Sequence, residues 1–450
     1  MYKKILIASL ALIAGLASCK KDDPTPSPNP PSGLTIDGVA STLEFYQLDT
    51  AHLSVAGVAK DAAAKAVWAV NGAKAAEGAT FDFTTAHPGK YEVTLTVDGK
   101  SAKHTYTVAP RFSEGAFLLN EGNFGNETGS LTYIHPSKKL VIDQAYYRVN
   151  GTKLGNVCQD LAFEGDKIYI LSQLGPKNGG EGLLTIARSN TLEKVKVYND
   201  EALAQSTPTH IAVLRDHIYI RTERDGILRG SSEGGFAPIA GTKKALKQRM
   251  AQIGERLFAL TSDSKVLMIQ GTQVVRELDL TPAKPSGIAV SHDGKLWVST
   301  TSPNAILKVD PTPDNFVALD THVLDKSISS GFSASSAFFA HGDKLYFTGQ
   351  SSVIYCHDFA TNKTSQVIDV KTIDGVGTSA NMYYNSLGVD PATGELYYAA
   401  FENFSTYNKK NVTMVLKADG TKLLLKEKVN SFPAGFFFIP NAASRTGANR

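Results

Sequence analysis

One phrase recurs along this chain: a charged or glycine-containing turn, then aliphatic, aromatic, aliphatic, then a polar loop. It reads Gly165-Asp166-Lys167-Ile168-Tyr169-Ile170, Arg215-Asp216-His217-Ile218-Tyr219-Ile220 and Gly254-Glu255-Arg256-Leu257-Phe258-Ala259. It returns as Asp293-Gly294-Lys295-Leu296-Trp297-Val298, Gly342-Asp343-Lys344-Leu345-Tyr346-Phe347 and Thr393-Gly394-Glu395-Leu396-Tyr397-Tyr398. Successive aromatic positions stand about 50, 39, 39, 49 and 51 residues apart, the interval of propeller blades. A weaker copy, Phe117-Leu118-Leu119, precedes them by a similar step.

A second series of short apolar strands runs just ahead of the first. It includes Asp160-Leu161-Ala162-Phe163, His210-Ile211-Ala212-Val213, Arg249-Met250-Ala251-Gln252 and Gly287-Ile288-Ala289-Val290. It continues through Ala337-Phe338-Phe339-Ala340 and Leu387-Gly388-Val389-Asp390 to Gly435-Phe436-Phe437-Phe438, after which no aromatic copy follows. The two ends therefore complement each other: the amino end has a second strand without a first, and the carboxyl end a first without a second. Joining them predicts an all-β, seven-bladed β-propeller over residues 111–441, closed by both of its termini, with no exposed sheet edge at the seam. Small residues such as Ala162, Ala212, Ala251, Ala289 and Gly388 suit innermost strands crowded around a central channel.

At the amino end, Lys3 and Lys4 precede an apolar run from Ile5 to Leu16, too short to span a bilayer. The following Leu16-Ala17-Ser18-Cys19 resembles the lipobox of bacterial lipoproteins. The resemblance implies a signal peptide over 1–18 and a lipidated Cys19, whose acyl chains would suffice for stable membrane anchoring. Lys20-Lys21-Asp22-Asp23 resembles the surface-export signal of Bacteroidetes lipoproteins, which implies the outer face of the outer membrane. Residues 19–33 then form a proline-rich tether that cannot build a core.

Residues 34–110 read as short alternating strands: Val67 to Val70, Phe81 to Phe83, and Tyr91 to Val97, with turns at Asn71-Gly72, Pro88-Gly89 and Asp98-Gly99. This order resembles a PKD-type immunoglobulin-like module, although the acidic-Gly turn typical of that family is replaced by Asn71-Gly72-Ala73. An N-terminal Ig-like β-sandwich acting as a spacer is expected, with Trp68 as core packing. Residues 442–450 read as a flexible tail.

Charge excludes little beyond nucleic acid. The chain has 46 basic and 43 acidic residues and no basic block. Cys158 and Cys356 fall on distant blades and read as small buried apolar residues rather than a disulfide. Ten scattered histidines without ligand spacing argue against a zinc site. Gly331-Phe332-Ser333-Ala334-Ser335 lacks the closing glycine of a nucleophile elbow. The expectation is a non-enzyme with no cofactor and no metal.

Binding has better support. In a propeller, the loop after each second strand and the approach to each first strand share one face, around the channel mouth. Three such loops are long here: 120–126, with Asn120, Glu121, Asn123 and Phe124; 173–180; and 401–408, with Phe404 and Tyr407. Tyr383, Tyr384 and Asn385 lie on the approach to a neighbouring strand, and Arg221, Arg224 and Arg249 border the same face. Aromatic faces with amides between them suit a large, flat, polar-edged ligand.

The propeller and leader together resemble the YncE-like propellers of surface lipoproteins, and Phe117-Leu118-Leu119-Asn120-Glu121-Gly122-Asn123 resembles a phrase that opens those domains. One group of them, the BtuG type, captures cobalamin above a TonB-dependent transporter. That resemblance implies a small-molecule partner, a corrinoid foremost, and a TonB-dependent transporter. The alternatives from the residues are a protein- or glycan-binding scaffold, and a hydrolase or lyase at the channel mouth.

Overall fold

The structure, a computed structural model, describes residues 33–39, 44–328, 335–349, 351–382, 385 and 387–440. The signal peptide, Cys19, most of the tether and the tail lie outside these residues. Compactness divides the chain into two units. One comprises the start of the chain with 51–83 and 92–105, and the other comprises 41–50, 84–91 and everything from Tyr106.

In the amino-terminal region two sheets form. Thr50–Ala56 lies between Thr35–Asp37 and Thr80–Thr84 in the first. The second runs in the order Phe45–Tyr46, Lys100–Ala109, Gly89–Val97, Val67–Val70, Ala73–Glu77. The alternation read from the sequence has its physical counterpart: Val93, Leu95 and Val97 are buried, while Glu92 is exposed. Trp68 is fully buried, and its indole N–H donates to the Gly78 carbonyl at 2.9 Å.

Among the described residues from 116 onward there are seven four-stranded antiparallel sheets. Six are built from consecutive strands. Their innermost members are Cys158–Glu164, Pro208–Leu214, Ala251–Ile253, Lys284–Val290, Phe338–His341 and Leu387–Val389. In the seventh, Pro433–Phe438 pairs antiparallel with Ala116–Asn120, which continues to Ser130–His135 and Leu140–Ile142. The carboxyl-terminal strand thus completes a sheet begun more than three hundred residues earlier.

Burial follows the repeat. Tyr169, Tyr219, Phe258, Trp297, Tyr346 and Tyr397 all sit on second strands and are all buried. Five of them pair across the ladder with a small residue of the innermost strand: Ala162, Ala212, Ala251, Ala289 and Gly388. The sixth, Tyr346, faces Phe339. The turn between first and second strands needs a left-handed residue, supplied by glycine at 165, 254, 294, 342 and 394 and by Arg215 (φ 53°) in the remaining sheet.

Apolar clusters join the sheets in a cycle. Phe117 and Tyr133 pack with Leu161 and Ile168; Tyr169 and Ile186 with Ile211 and Ile220; Ala212 and Tyr219 with Leu257 and Ile269. Phe258 and Met268 then meet Val298 and Leu307; Trp297 and Ile306 meet Phe338 and Leu345; Tyr346 and Ile354 meet Leu396 and Met414. Tyr397 and Val415 finally return to Leu118 and Ile134. Each sheet buries both faces, which is the arrangement of a propeller-type fold.

Candidate binding face and channel mouth

The three long loops do meet, through hydrogen bonds that span the seam of the cycle. Asn120 is 1% exposed; its amide donates to Ser130 and Thr132 hydroxyls at 3.2 Å, and its carbonyl oxygen accepts from the Ser431 N–H at 3.0 Å. The Glu121 N–H donates to the Phe432 carbonyl at 2.8 Å. Glu127 Oε2 accepts from both the Tyr407 hydroxyl and the Ser431 hydroxyl at 2.8 Å. On the other side, the Asn156 amide donates to the carbonyls of Asn123 and Glu127, tying this loop to the next sheet.

The aromatic side chains divide into two sets. Phe432, in a left-handed conformation (φ 53°), is stacked by Tyr407 at 4.3 Å and by Phe404 at 5.7 Å, and Phe401 meets it edge-on. Phe404 keeps 45% of its surface exposed and Phe124 keeps 65%. The Lys177 ammonium sits 3.7 Å from the Phe124 ring centre, a cation–π contact between two of the long loops. Asn123 Oδ1 accepts from the Gly125 N–H, fixing the turn that presents Phe124.

The sequence reading placed Asn120, Glu121, Tyr407 and Arg221 on the contact surface, and the structure buries all four. Arg221 is 7% exposed because its guanidinium donates to the Ala245 carbonyl and the Thr209 hydroxyl and pairs with Glu223. Asn120 and Tyr407 are held inside for the same reason, since their polar atoms fasten the loops to one another. Asn385 is half-buried with φ 44°, and Tyr383 and Tyr384 lie outside the described residues. Phe432 and Glu127, which organise the cluster, carried no sequence signal beyond their place in a polar stretch.

Below the loops, a cavity of about 380 Å³ runs along the channel axis. Its walls are residues of six innermost strands and their approaches, including Phe163, Ile288, Phe339, Phe436 and Phe437, with Gln248 and Arg249 among its polar members. At the mouth, four innermost strands carry a β-bulge against their second strands, at Cys158/Asp160, Pro208/His210, Pro285/Gly287 and Pro433/Gly435. A bulge frees one residue from the ladder and re-aims its neighbours. Here the bulges gather polar groups that strict alternation would have scattered.

Two of those groups have perturbed protonation. Asp160 is 2% exposed; burial raises its carboxyl to about 6, against the opposing pull of Arg249 and the N–H of Ile211. His210 is held well below its ordinary value by burial, then by the charges of Arg249, Arg221 and Lys247. Its tautomer follows from its neighbours. The Thr209 hydroxyl donates its one hydrogen to the Arg221 carbonyl, so at 3.1 Å it accepts from His210 Nδ1–H. His210 Nε2 then accepts from the Ser335 hydroxyl at 2.9 Å, while Ser335 Oγ accepts the Arg249 N–H.

Cys158 and Cys356 are free and buried. Among the described residues no group of three or more His, Cys, Asp or Glu side chains could hold a metal ion, and no helix is long and apolar enough to cross a membrane.

Residues 114–439 match the domain of unknown function DUF5074. The chain belongs to this family. No curated protein matches it. Among solved structures, it is similar to a quinonprotein alcohol dehydrogenase-like protein from Bacteroides thetaiotaomicron, with a TM-score of 0.56 and 15% identity over 88% of this chain and 96% of that one. A protein from Lactobacillus plantarum aligns with a TM-score of 0.49 and 14% identity over 72% of this chain and 99% of that one. At 15% identity, the likeness to the Bacteroides thetaiotaomicron protein is one of fold alone.

Proposed function

We propose that this DUF5074 chain is a seven-bladed propeller of the YncE-like type, carried on a PKD/Ig-like spacer and anchored through Cys19 to the outer membrane, facing outward. In this reading it captures a small-molecule nutrient on its loop face and passes it unaltered to a TonB-dependent transporter. Cobalamin or another corrinoid is the most specific candidate, from the resemblance to BtuG-type lipoproteins. The observation that carries the reading is the pair of exposed rings, Phe124 and Phe404, held on loops locked to one another through Glu127, Tyr407 and Phe432. Rigid aromatic surface beside amides binds flat ligands at little entropic cost.

Titration with cobalamin and its precursor cobinamide, with haem as control, tests the ligand. Binding of either corrinoid, weakened by Phe124→Ala and Phe404→Ala, supports the reading; no corrinoid binding at micromolar concentration removes the corrinoid and leaves capture of another small molecule. A hydrolase reading draws on one observation, the Ser335 hydroxyl donating to a neutral His210. Turnover of a p-nitrophenyl ester panel that disappears in Ser335→Ala would favour that second reading.

A further inference from the structure

Arg249 is pinned on three sides. Its Nε lies 3.3 Å from the buried Asp160 Oδ1, an ion-pair distance. Its Nη2 donates at 2.9 Å to the carbonyl of Ala434, the residue that the bulge in the closing strand frees from the ladder. Its guanidinium carbon stands 4.3 Å over the centre of the Phe437 ring. The neighbouring Gly435 (φ 139°) leaves the space this requires, since a Cβ there would fall 1.9 Å from Nη2. The side chain keeps 23% of its surface accessible and lines the 380 Å³ cavity.

The electrostatic setting adds a second observation. Among the described residues, three cations act on His210, Arg249, Arg221 and Lys247; Asp160 pairs with the first, and Glu223 is shared by the other two. Beneath them the cavity walls are apolar and aromatic, from Phe163, Met250, Ile288, Val290, Phe339 and Phe437. A fixed guanidinium above an apolar chamber matches a planar carboxylate carrying an apolar body.

We propose that the channel mouth is a binding site for small monocarboxylates with an apolar or aromatic body, whose carboxylate pairs with Arg249 while the body enters the cavity. Gln248, which also lines the cavity, is the adjacent polar side chain. This site goes beyond the loop-face reading, because a corrin macrocycle is too wide for a cavity of this volume. The two ligands would use different surfaces of the same end of the domain.

The test is calorimetric titration of the full mature chain with benzoate and phenylacetate, against benzamide and benzyl alcohol as neutral counterparts. The expected result is saturable binding of the carboxylates, at least about tenfold tighter than the neutral molecules. Arg249→Gln should abolish that preference, with its melting transition checking that it folds. If that variant does not fold, Gln252→Trp decides. It narrows the cavity from an exposed position away from Arg249 and should remove carboxylate binding while leaving any corrinoid binding intact. No saturable binding at millimolar carboxylate, equal binding of benzamide, or full binding by a folded Arg249→Gln or by Gln252→Trp would each overturn the proposal. None of these outcomes bears on corrinoid capture, so the two readings fail separately.

Discussion

The six sheets built from consecutive strands and the seventh, built from both ends, fill the space beside the axis differently. In five of the six, a bulky aromatic of the second strand lies across from alanine or glycine on the innermost strand. In the seventh the innermost strand is itself aromatic. It carries Phe436, Phe437 and Phe438; Phe437 lies across from Phe117 of the second strand, and Phe436 faces Leu118. Volume is added on the axis, as it is where Phe339 faces Tyr346. The neighbouring sheet makes room with Gly388, where a Cβ would lie 2.6 Å from that of Phe436. Phe437 comes to the channel as the platform under Arg249. The closing sheet thus adds aromatic surface to the axis beside Phe163 and Phe339 of the other sheets.

The largest expected effect tests whether the seventh sheet is needed at all. Deleting from Ser431 onward removes its innermost strand and bares Leu118 and Leu119 at an open edge. The truncated chain should aggregate or lose its cooperative melting transition; a soluble product with an unchanged transition would show the seam to be dispensable. Next in size, Phe258→Ala deletes a fully buried ring from a repeat sheet and should cost about 3–5 kcal/mol in denaturant unfolding. A cost below about 1 kcal/mol would mean that the repeated aromatic does not set sheet packing.

Gly388→Ala sharpens the comparison at the junction of the two kinds of sheet. Its backbone is compatible with alanine, so the whole effect is the clash with Phe436, about 1–3 kcal/mol. Restoration of stability by adding Phe436→Leu would confirm that the glycine serves the closing sheet.

The pH dependence probes the mouth. Because burial lifts the folded Asp160 carboxyl to about 6, above its unfolded value near 4, the folded state binds this proton more tightly. Its stability contribution is present below pH 4 and is lost as pH rises to 6; Asp160→Asn should flatten that segment of the profile. Smallest of all, Phe124→Ala should change stability by less than about 0.5 kcal/mol, since the ring is largely in solvent. On the proposed function it should still weaken ligand binding by about 1–3 kcal/mol.

Much of the architecture was legible because the strands obey a short-range rule that repeats. Tyr169, Trp297 and Tyr397 each announce a buried second strand, and the unmatched ends at Phe117 and Phe436 announce their own pairing. Phe339 was less legible: it breaks the small-residue pattern opposite Tyr346, and its ring lines the cavity instead. Arg249 was assigned to a strand that begins only at Ala251, because the segment leaves the ladder to reach the axis. The exposed rings Phe124 and Phe404 were visible as aromatics in polar loops. Glu127 was not, since its partner Tyr407 lies 280 residues away and neither residue advertises the other. His210 and the bulges were hidden for a related reason: a one-residue slip in strand register has no compositional mark.

The pairing of Ala116–Asn120 with Pro433–Phe438 also fixes when the molecule can finish folding. The first partner emerges roughly three hundred residues before the second, which at about 5–20 residues per second is tens of seconds of synthesis. The entropic cost of closing so long a loop grows only logarithmically, so the obstacle is one of time rather than of free energy. Throughout that interval Ala116–Asn120 presents an unsatisfied row of N–H and C=O groups, and Leu118 lacks its cover. A helper that shields this one strand during synthesis or export would therefore protect the nascent chain more than any that acts on the finished ring.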